Sequence, residues 1–218
     1  LRSGTRNVAE MAGVILKPLP APSGEALAWP HLESRAKLLE RLLSEGLCAK
    51  ARGVNLLLYG APGTGKTQFA RQLVARIGAA GFSVADIDAD GDPATRADRL
   101  SSLMLTQVFA PAGGSVVLLD EAEDVFQGEY NDPLGRMFGK RDEGKSWMNN
   151  LLEGNVNPVI WISNRIDNMD PAYVRRFTYC LEFPQTPRGV RRAIAHAHLD
   201  ATGCSAKVVE TVASDASV

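Results

Sequence analysis

The chain has 218 residues, enough for one large domain or one domain with a small appendage. Its 45% hydrophobic and 22% charged content is that of an ordinary globular protein, which sets aside disordered and fibrous classes. With 24 Lys+Arg against 25 Asp+Glu the net charge is -1, so there is no overall pull toward nucleic acid or an anionic membrane.

Three cysteines, Cys48, Cys180 and Cys204, lie far apart and form no CxxC pair, which argues against a metal knuckle or a disulfide framework. A reduced, cytoplasmic compartment is the expectation. No apolar run has the length of a membrane span, and the start does not read as a signal peptide. The chain opens at Leu1 without a methionine, and is expected to be a piece of something longer.

In chain order, Val14–Leu16 reads as a short strand and KPLPAPSG as a linker. WPHLESRAKLLERLLSEG carries Leu32, Ala36, Leu39 and Leu43 at helical spacing, with Gly46 as a stop. VNLLLY (54–59) is an apolar strand ending in a glycine-rich turn. KTQFARQLVARIGAAG follows as a helix, with Phe69, Leu73, Val74 and Ile77 on one face and Gly81 closing it. SVADID (83–88) reads as a strand, RADRLSSLMLTQVF as a helix, SVVLLD (115–120) as a strand and KSWMNNLLEG as a helix. PVIWIS (158–163) and TYCLEF (178–183) complete the strands. Apolar strands alternating with helices predict a parallel sheet covered on both faces. After Pro184 and Pro187, RGVRRAIAHAHLDATG and SAKVVETVASDASV read as the start of a second, helical domain.

Residues 60–67, GAPGTGKT, fit G-x-x-x-x-G-K-[ST] between a predicted strand and a predicted helix. Gly60, Gly63 and Gly65 let the backbone of Gly60, Ala61, Pro62, Gly63, Thr64 and Gly65 curl so that N–H groups face phosphate oxygens. Lys66, at the helix N-terminus, can reach the β- and γ-phosphates, and the Thr67 hydroxyl can ligate Mg²⁺.

VVLLDEAED (116–124) ends an apolar strand in carboxylates, at the sheet edge where ligands of α/β proteins bind. Asp120 is placed to hold the magnesium, while Glu121 is free to orient or deprotonate a water. Glu123 and Asp124 read as a solvated helix start, where carboxylates suit the dipole.

With these two motifs in this order, residues 31–218 resemble the AAA+ ATPase family: GAPGTGKT resembles its Walker A and VVLLDEAED its Walker B. The resemblance implies a P-loop NTPase fold, a three-layer αβα sandwich on a five-stranded parallel sheet. It divides the chain into an N-terminal segment and linker (1–30), an ATPase core (31–186) and the start of a truncated helical lid (187–218). In ISN, Asn164 matches sensor 1, which contacts the γ-phosphate or the attacking water. DPAYVRRF resembles the segment whose arginine reaches a neighbouring subunit's nucleotide. Arg176 is the first choice for that finger and Arg175 the second, with an exposed, locally paired arginine couple as the plain alternative.

The resemblance further implies ATP and Mg²⁺ as cofactors, a homo-oligomeric ring, hexameric by expectation, and a protein substrate to be remodelled. Nucleic acid is not indicated, although a DNA-associated loader and a slow nucleotide-binding switch are the alternatives. The stretch DADGDPATRADRL (88–100) lacks the aromatic residue with which relatives thread protein. Tyr130, Phe138 and Gly139 lie instead in a long connection after the acidic motif. Arg188, Arg191 and Arg192, with His196 and His198, make a basic helix start that reads as a solvated face or subunit contact.

Overall fold

The computed structural model describes residues 16–22, 29–87, 92–127, 141–167, 169–184 and 211. Six strands are seen among them: β1 (Lys17–Pro18), β2 (Asn55–Gly60), β3 (Ala80–Ser83), β4 (Ser115–Leu119), β5 (Val159–Ser163) and β6 (Tyr179–Phe183). Six α-helices accompany them: α1 (Glu33–Cys48), α2 (Lys66–Arg76), α3 (Arg96–Phe109), α4 (Glu123–Gln127), α5 (Arg141–Gly154) and α6 (Pro171–Val174). A 3₁₀ turn, Pro30–Leu32, leads into α1. The strands form one sheet in the order β1-β3-β4-β5-β2-β6. The five strands from β3 to β6 run parallel, and β1 adds an antiparallel edge.

Side-chain alternation along these strands builds the three layers. Leu56, Leu58, Val116, Leu118, Ile160 and Ile162 face one way, onto Leu39 and Leu43 of α1 and Phe69 and Leu73 of α2. Leu57, Val117, Leu119, Val159 and Trp161 face the other way, onto Leu100 and Leu103 of α3, Phe126 of α4 and Met148 and Leu152 of α5. Both faces are therefore dry, which is why these strands read as continuous apolar runs rather than as alternating ones. Each fully buried leucine contributes about 1.5–3 kcal/mol of transfer free energy.

Several boundaries differ from the sequence expectation. The strand expected at 83–88 is β3 at 80–83, because Ala80–Ser83 take the register beside Ser115–Leu118 and Ala85 and Asp86 have left the ladder. Gly81 does not close α2: that helix ends at Arg76, and Gly78 at φ 68° makes the turn. Gly81 lies within β3, where a Cβ would stand 2.8 Å from Leu19 Cβ, so the glycine makes room for the chain leaving β1. The linker assigned to KPLPAPSG begins instead as β1, and Leu16 is outside any strand. Gly46 is inside α1, which continues to Cys48. Within the helix read from KSWMNNLLEG, Met148 and Leu152 are buried and Trp147 is 38% exposed. The lid segment 187–218, with the basic cluster and both of its histidines, lies outside the described residues apart from Thr211, as do Tyr130, Phe138 and Gly139.

A polar pin sits in the sheet core. Asn55 is fully buried; its amide donates to Leu152 O at 2.6 Å and its Oδ1 accepts from Trp161 Nε1 at 2.9 Å. One side chain thus ties β2 to β5 and to the end of α5. Replacing Asn55 by Ala leaves the buried Trp161 N–H and Leu152 C=O unpaired. The expected loss of stability is about 1–3 kcal/mol, read from the urea midpoint of the purified chain. An unchanged midpoint would show that the pin does not hold the strands.

Candidate nucleotide site

The site forms where β2, β4 and β5 present their C-terminal ends. β2 stops at Gly60, Ala61, Pro62 and Gly63 are exposed in the loop, and α2 begins at Lys66. Gly60, at φ 140°, lies so close to β6 that a Cβ would be 2.3 Å from Phe183 O. Gly65, at φ 85°, caps α2 from the left-handed region, where non-glycine residues are disfavoured. A Cβ there would also stand 3.1 Å from Trp29, which buries its ring edge-on against Phe69. Thr64 is buried and braces the loop by donating its hydroxyl to Ala61 O at 2.9 Å.

Lys66 is only 5% exposed and donates its Nζ to Gly60 O at 2.8 Å and Ala61 O at 2.7 Å. Burial lowers its pKa, and the charges of Asp120 and Glu123 act in the opposite direction. A phosphate oxygen offered here would replace two neutral acceptors by a charged one, which makes a stronger bond.

Thr67 Oγ1 donates to Asp120 Oδ2 at 2.7 Å, so the two oxygen groups expected at the metal are brought together. A hydroxyl and a carboxylate at the end of a phosphate loop fit Mg²⁺, a hard cation that takes few protein ligands and leaves positions for phosphate oxygens. Asp120 Oδ1 accepts the Glu121 N–H at 3.0 Å. Glu121 itself is exposed and holds φ at 50°, a left-handed conformation unusual outside glycine. Beside this turn a cleft of about 320 Å³ is lined by Thr67, Arg71, Asp120, Glu121 and Arg99, among others.

Asn164 follows β5 directly and is half-buried. Its Nδ2 donates to Glu123 Oε1 at 2.8 Å and its backbone N–H to Glu123 Oε2 at 3.3 Å. Glu123 does open a helix, as expected, but its half-buried carboxylate is not simply solvated: it is a two-pronged acceptor for Asn164. The signal was within reach of the sequence only as a third carboxylate near the strand end. Arg99 was not singled out at all. It is 6% exposed and donates to the carbonyls of Asp120 and Glu121, the latter at 2.9 Å.

The two arginines of DPAYVRRF are not near these groups. β6 runs parallel to β2, with Tyr179 beside Leu56 and Phe183 beside Gly60. Residues just before β6 therefore stand at the sheet end opposite the phosphate loop, about 15 Å or more away at ~3.3 Å per residue. Arg176 Nε pairs with Glu153 at 2.7 Å and its Nη1 donates to Ala172 O at 2.6 Å. Arg175 is exposed; its backbone N–H donates to Pro171 O at 3.2 Å, and its side chain makes no hydrogen bond or ion pair among the described residues. Those residues also hold no group of three or more His, Cys, Asp or Glu able to bind a metal, and no helix long and apolar enough to cross a membrane.

A profile of the family described as ATPase family associated with various cellular activities (AAA) matches residues 56–185, more than half of the chain. The ATP-dependent zinc metalloprotease FtsH of Mycobacterium leprae is 30% identical over 164 residues, covering 66% of this chain and 19% of that protein. The probable 26S proteasome regulatory subunit 4 of Caenorhabditis elegans is 27% identical over 157 residues, covering 66% of this chain and 33% of that protein. Spastin of Naegleria gruberi is 29% identical over 161 residues, covering 70% of this chain and 29% of that protein. The chain therefore spans about a third or less of the length of these relatives. Among solved structures, the FIGL-1 AAA domain in complex with ADP superposes with a TM-score of 0.60 at 16% identity, covering 95% of this chain and 72% of that one. At that identity the likeness concerns the fold.

The Glu123–Asn164 contact can be read directly. Glu123→Ala removes the acceptor of the Asn164 backbone N–H, and a hydrogen bond to a charged group contributes about 1.5–3 kcal/mol. Amide exchange at Asn164 is expected to accelerate by about tenfold or more while β2 and β4 amides keep their protection. An unchanged rate at Asn164 would mean that Glu123 does not hold it.

Proposed function

We propose that this chain, which belongs to the AAA family of ATP hydrolases, binds Mg-ATP between its phosphate loop and Asp120. Hydrolysis then proceeds within a homo-oligomeric ring, and turnover drives remodelling of a macromolecular partner, a protein. The observation that carries the reading is the Thr67–Asp120 hydrogen bond beside the buried Lys66. It joins a cation for phosphate to an oxygen pair for a metal at the ends of two strands.

Each residue has a task in this reading. Lys66 exchanges its carbonyl partners for β- and γ-phosphate oxygens, and the N-terminus of α2 faces the same anion. Thr67 and Asp120 would hold Mg²⁺, which when bound neutralises phosphate charge. Glu121, its carboxylate exposed, takes a proton from the attacking water as the γ-phosphoryl group passes to it, leaving ADP and inorganic phosphate. Asn164 gives one N–H to Glu123; its second N–H and its carbonyl oxygen serve phosphate and water. Arg175 completes a neighbouring subunit's site in preference to Arg176. The support is that Arg176 is already paired to Glu153, and that neither arginine stands at the phosphate-loop end of its own sheet. Cys48 and Cys180 are free thiols, in keeping with a reducing, cytoplasmic setting. The protein substrate is proposed because relatives that match are named as proteasomal and proteolytic components.

The test is ATP turnover per subunit against protein concentration, using the full-length protein. The rate should climb with concentration and fall by roughly 10³-fold or more in Arg175→Ala, the order expected of a transferring arginine. Glu121→Gln should bind ATP and lose about 10²–10⁴-fold in turnover, and Lys66→Ala should lose nucleotide binding. A rate that ignores concentration and Arg175 would return the arginines to surface charge and favour a slow switch. Stimulation by DNA with steep salt dependence would favour a DNA-associated loader.

A further inference from the structure

We infer that Arg99 of α3 is a positioning residue that aims the Glu121 carboxylate, by pinning both peptide planes that flank the Glu121 Cα. The inference rests on the proposed role of Glu121 and adds a residue that neither motif contains.

A side chain leaves its Cα in a direction set by φ and ψ of its own residue, so fixing the two adjacent peptide planes fixes the aim. In the plane before Glu121, the Asp120 carbonyl accepts from Arg99 Nη2 and the Glu121 N–H donates to Asp120 Oδ1 at 3.0 Å. In the plane after it, the Glu121 carbonyl accepts from Arg99 Nη1 at 2.9 Å and the Ala122 N–H donates to Ile162 O at 2.7 Å. All four groups are engaged, and two of them end on one guanidinium. The residue held this way has φ 50°, a conformation that a glutamate does not keep unless its surroundings impose it.

Arginine suits this task for a geometric reason. Its planar fork donates along two fixed, nearly parallel directions, whereas a lysine ammonium is a single point. The charge is 6% exposed, with the exposed Asp124 carboxylate 3.7 Å from Nη1. Burying a cation with so little ionic compensation is costly unless carbonyls take up its protons. The same helix end is anchored further: Arg96 Nε donates to Val125 O at 2.7 Å, and Thr95 and Asp98 close a capping box. α3 and the turn Asp120–Val125 are thus joined at the carbonyls of Asp120, Glu121 and Val125, and Glu121 takes its aim from α3.

The test measures steady-state ATP turnover and binding of a non-hydrolysable ATP analogue in the full-length protein. Arg99→Lys and Arg99→Gln are compared in the wild-type and Glu121→Gln backgrounds. In the wild-type background kcat should fall about 10–100-fold, the scale of an ångström-sized misplacement. KM and analogue affinity should stay within about threefold. In the Glu121→Gln background the same substitutions should cost less than about twofold, because a residue acting through a carboxylate is silent once that carboxylate is gone. Equal losses in both backgrounds, unchanged kcat, lost analogue binding, or failure of both variants to fold would assign Arg99 to the fold and overturn the inference. A wild-type protein that turns over no ATP would remove the functional reading itself, and this inference with it; wild-type turnover with fully active Arg99 variants would remove the inference alone.

Discussion

One hydrogen bond, from Thr67 to Asp120, sets the condition that the rest of the site must meet. Its partners follow β2 and β4, which are not neighbours: β5 lies between them. Two chain ends must therefore converge over the end of a third strand, within hydrogen-bond distance. Only a parallel sheet with its helices divided between two faces brings three C-terminal ends to one edge in this way. The residue that follows the intervening strand, Asn164, is consequently carried to the same place and meets Glu123 there.

Around that point the backbone is packed more tightly than side chains would allow. Gly60 touches β6, Gly65 touches the Trp29 ring, and Glu121 is held in a conformation few non-glycine residues adopt. Phe69 links two of these contacts, since it stacks edge-on against both Trp29 and Phe183. The phosphate loop is thus clamped from below by an aromatic cluster and from the side by β6. Preorganisation of this kind is what an anion site needs, because donors that are already aimed need not be ordered when the ligand arrives.

Much of this was legible in the sequence, for identifiable reasons. The phosphate loop, Asp120, Glu121 and Asn164 are local signals: a motif, or the first polar residue after an apolar run. The central strands were legible because burial on both faces makes them uniformly apolar. What escaped was non-local. β3 was displaced because its Gly81 is required by the chain crossing it at Leu19. Glu123 looked like a helix-start carboxylate because its partner lies 41 residues on in the chain. Arg99 looked like any arginine of an amphipathic helix; that it faces inward, onto two carbonyls, depends on how α3 lies beside β4. The proposed preference for Arg175 over Arg176 rests on Glu153, 23 residues before Arg176, and no spacing rule announces that pair.

Strand polarity constrains the function more than any single residue does. A parallel sheet has a ligand edge and an opposite edge, and the segment before β6 is fixed at the opposite one by its pairing with Asn55, whose carbonyl accepts the Thr178 N–H at 2.8 Å. No side-chain rotation moves Arg175 across the height of a strand. An arginine in this position can meet a γ-phosphate only if another copy presents one, with its ligand edge facing the first copy's opposite edge. Such a contact is head-to-tail: the two faces that meet are different, so each copy keeps one of each unused. Repeated, it closes into a ring or runs on as a helix, and never stops at a symmetric pair. On the proposed reading of Arg175, the need for a neighbour and the shape of the assembly would follow together from the direction in which β6 runs.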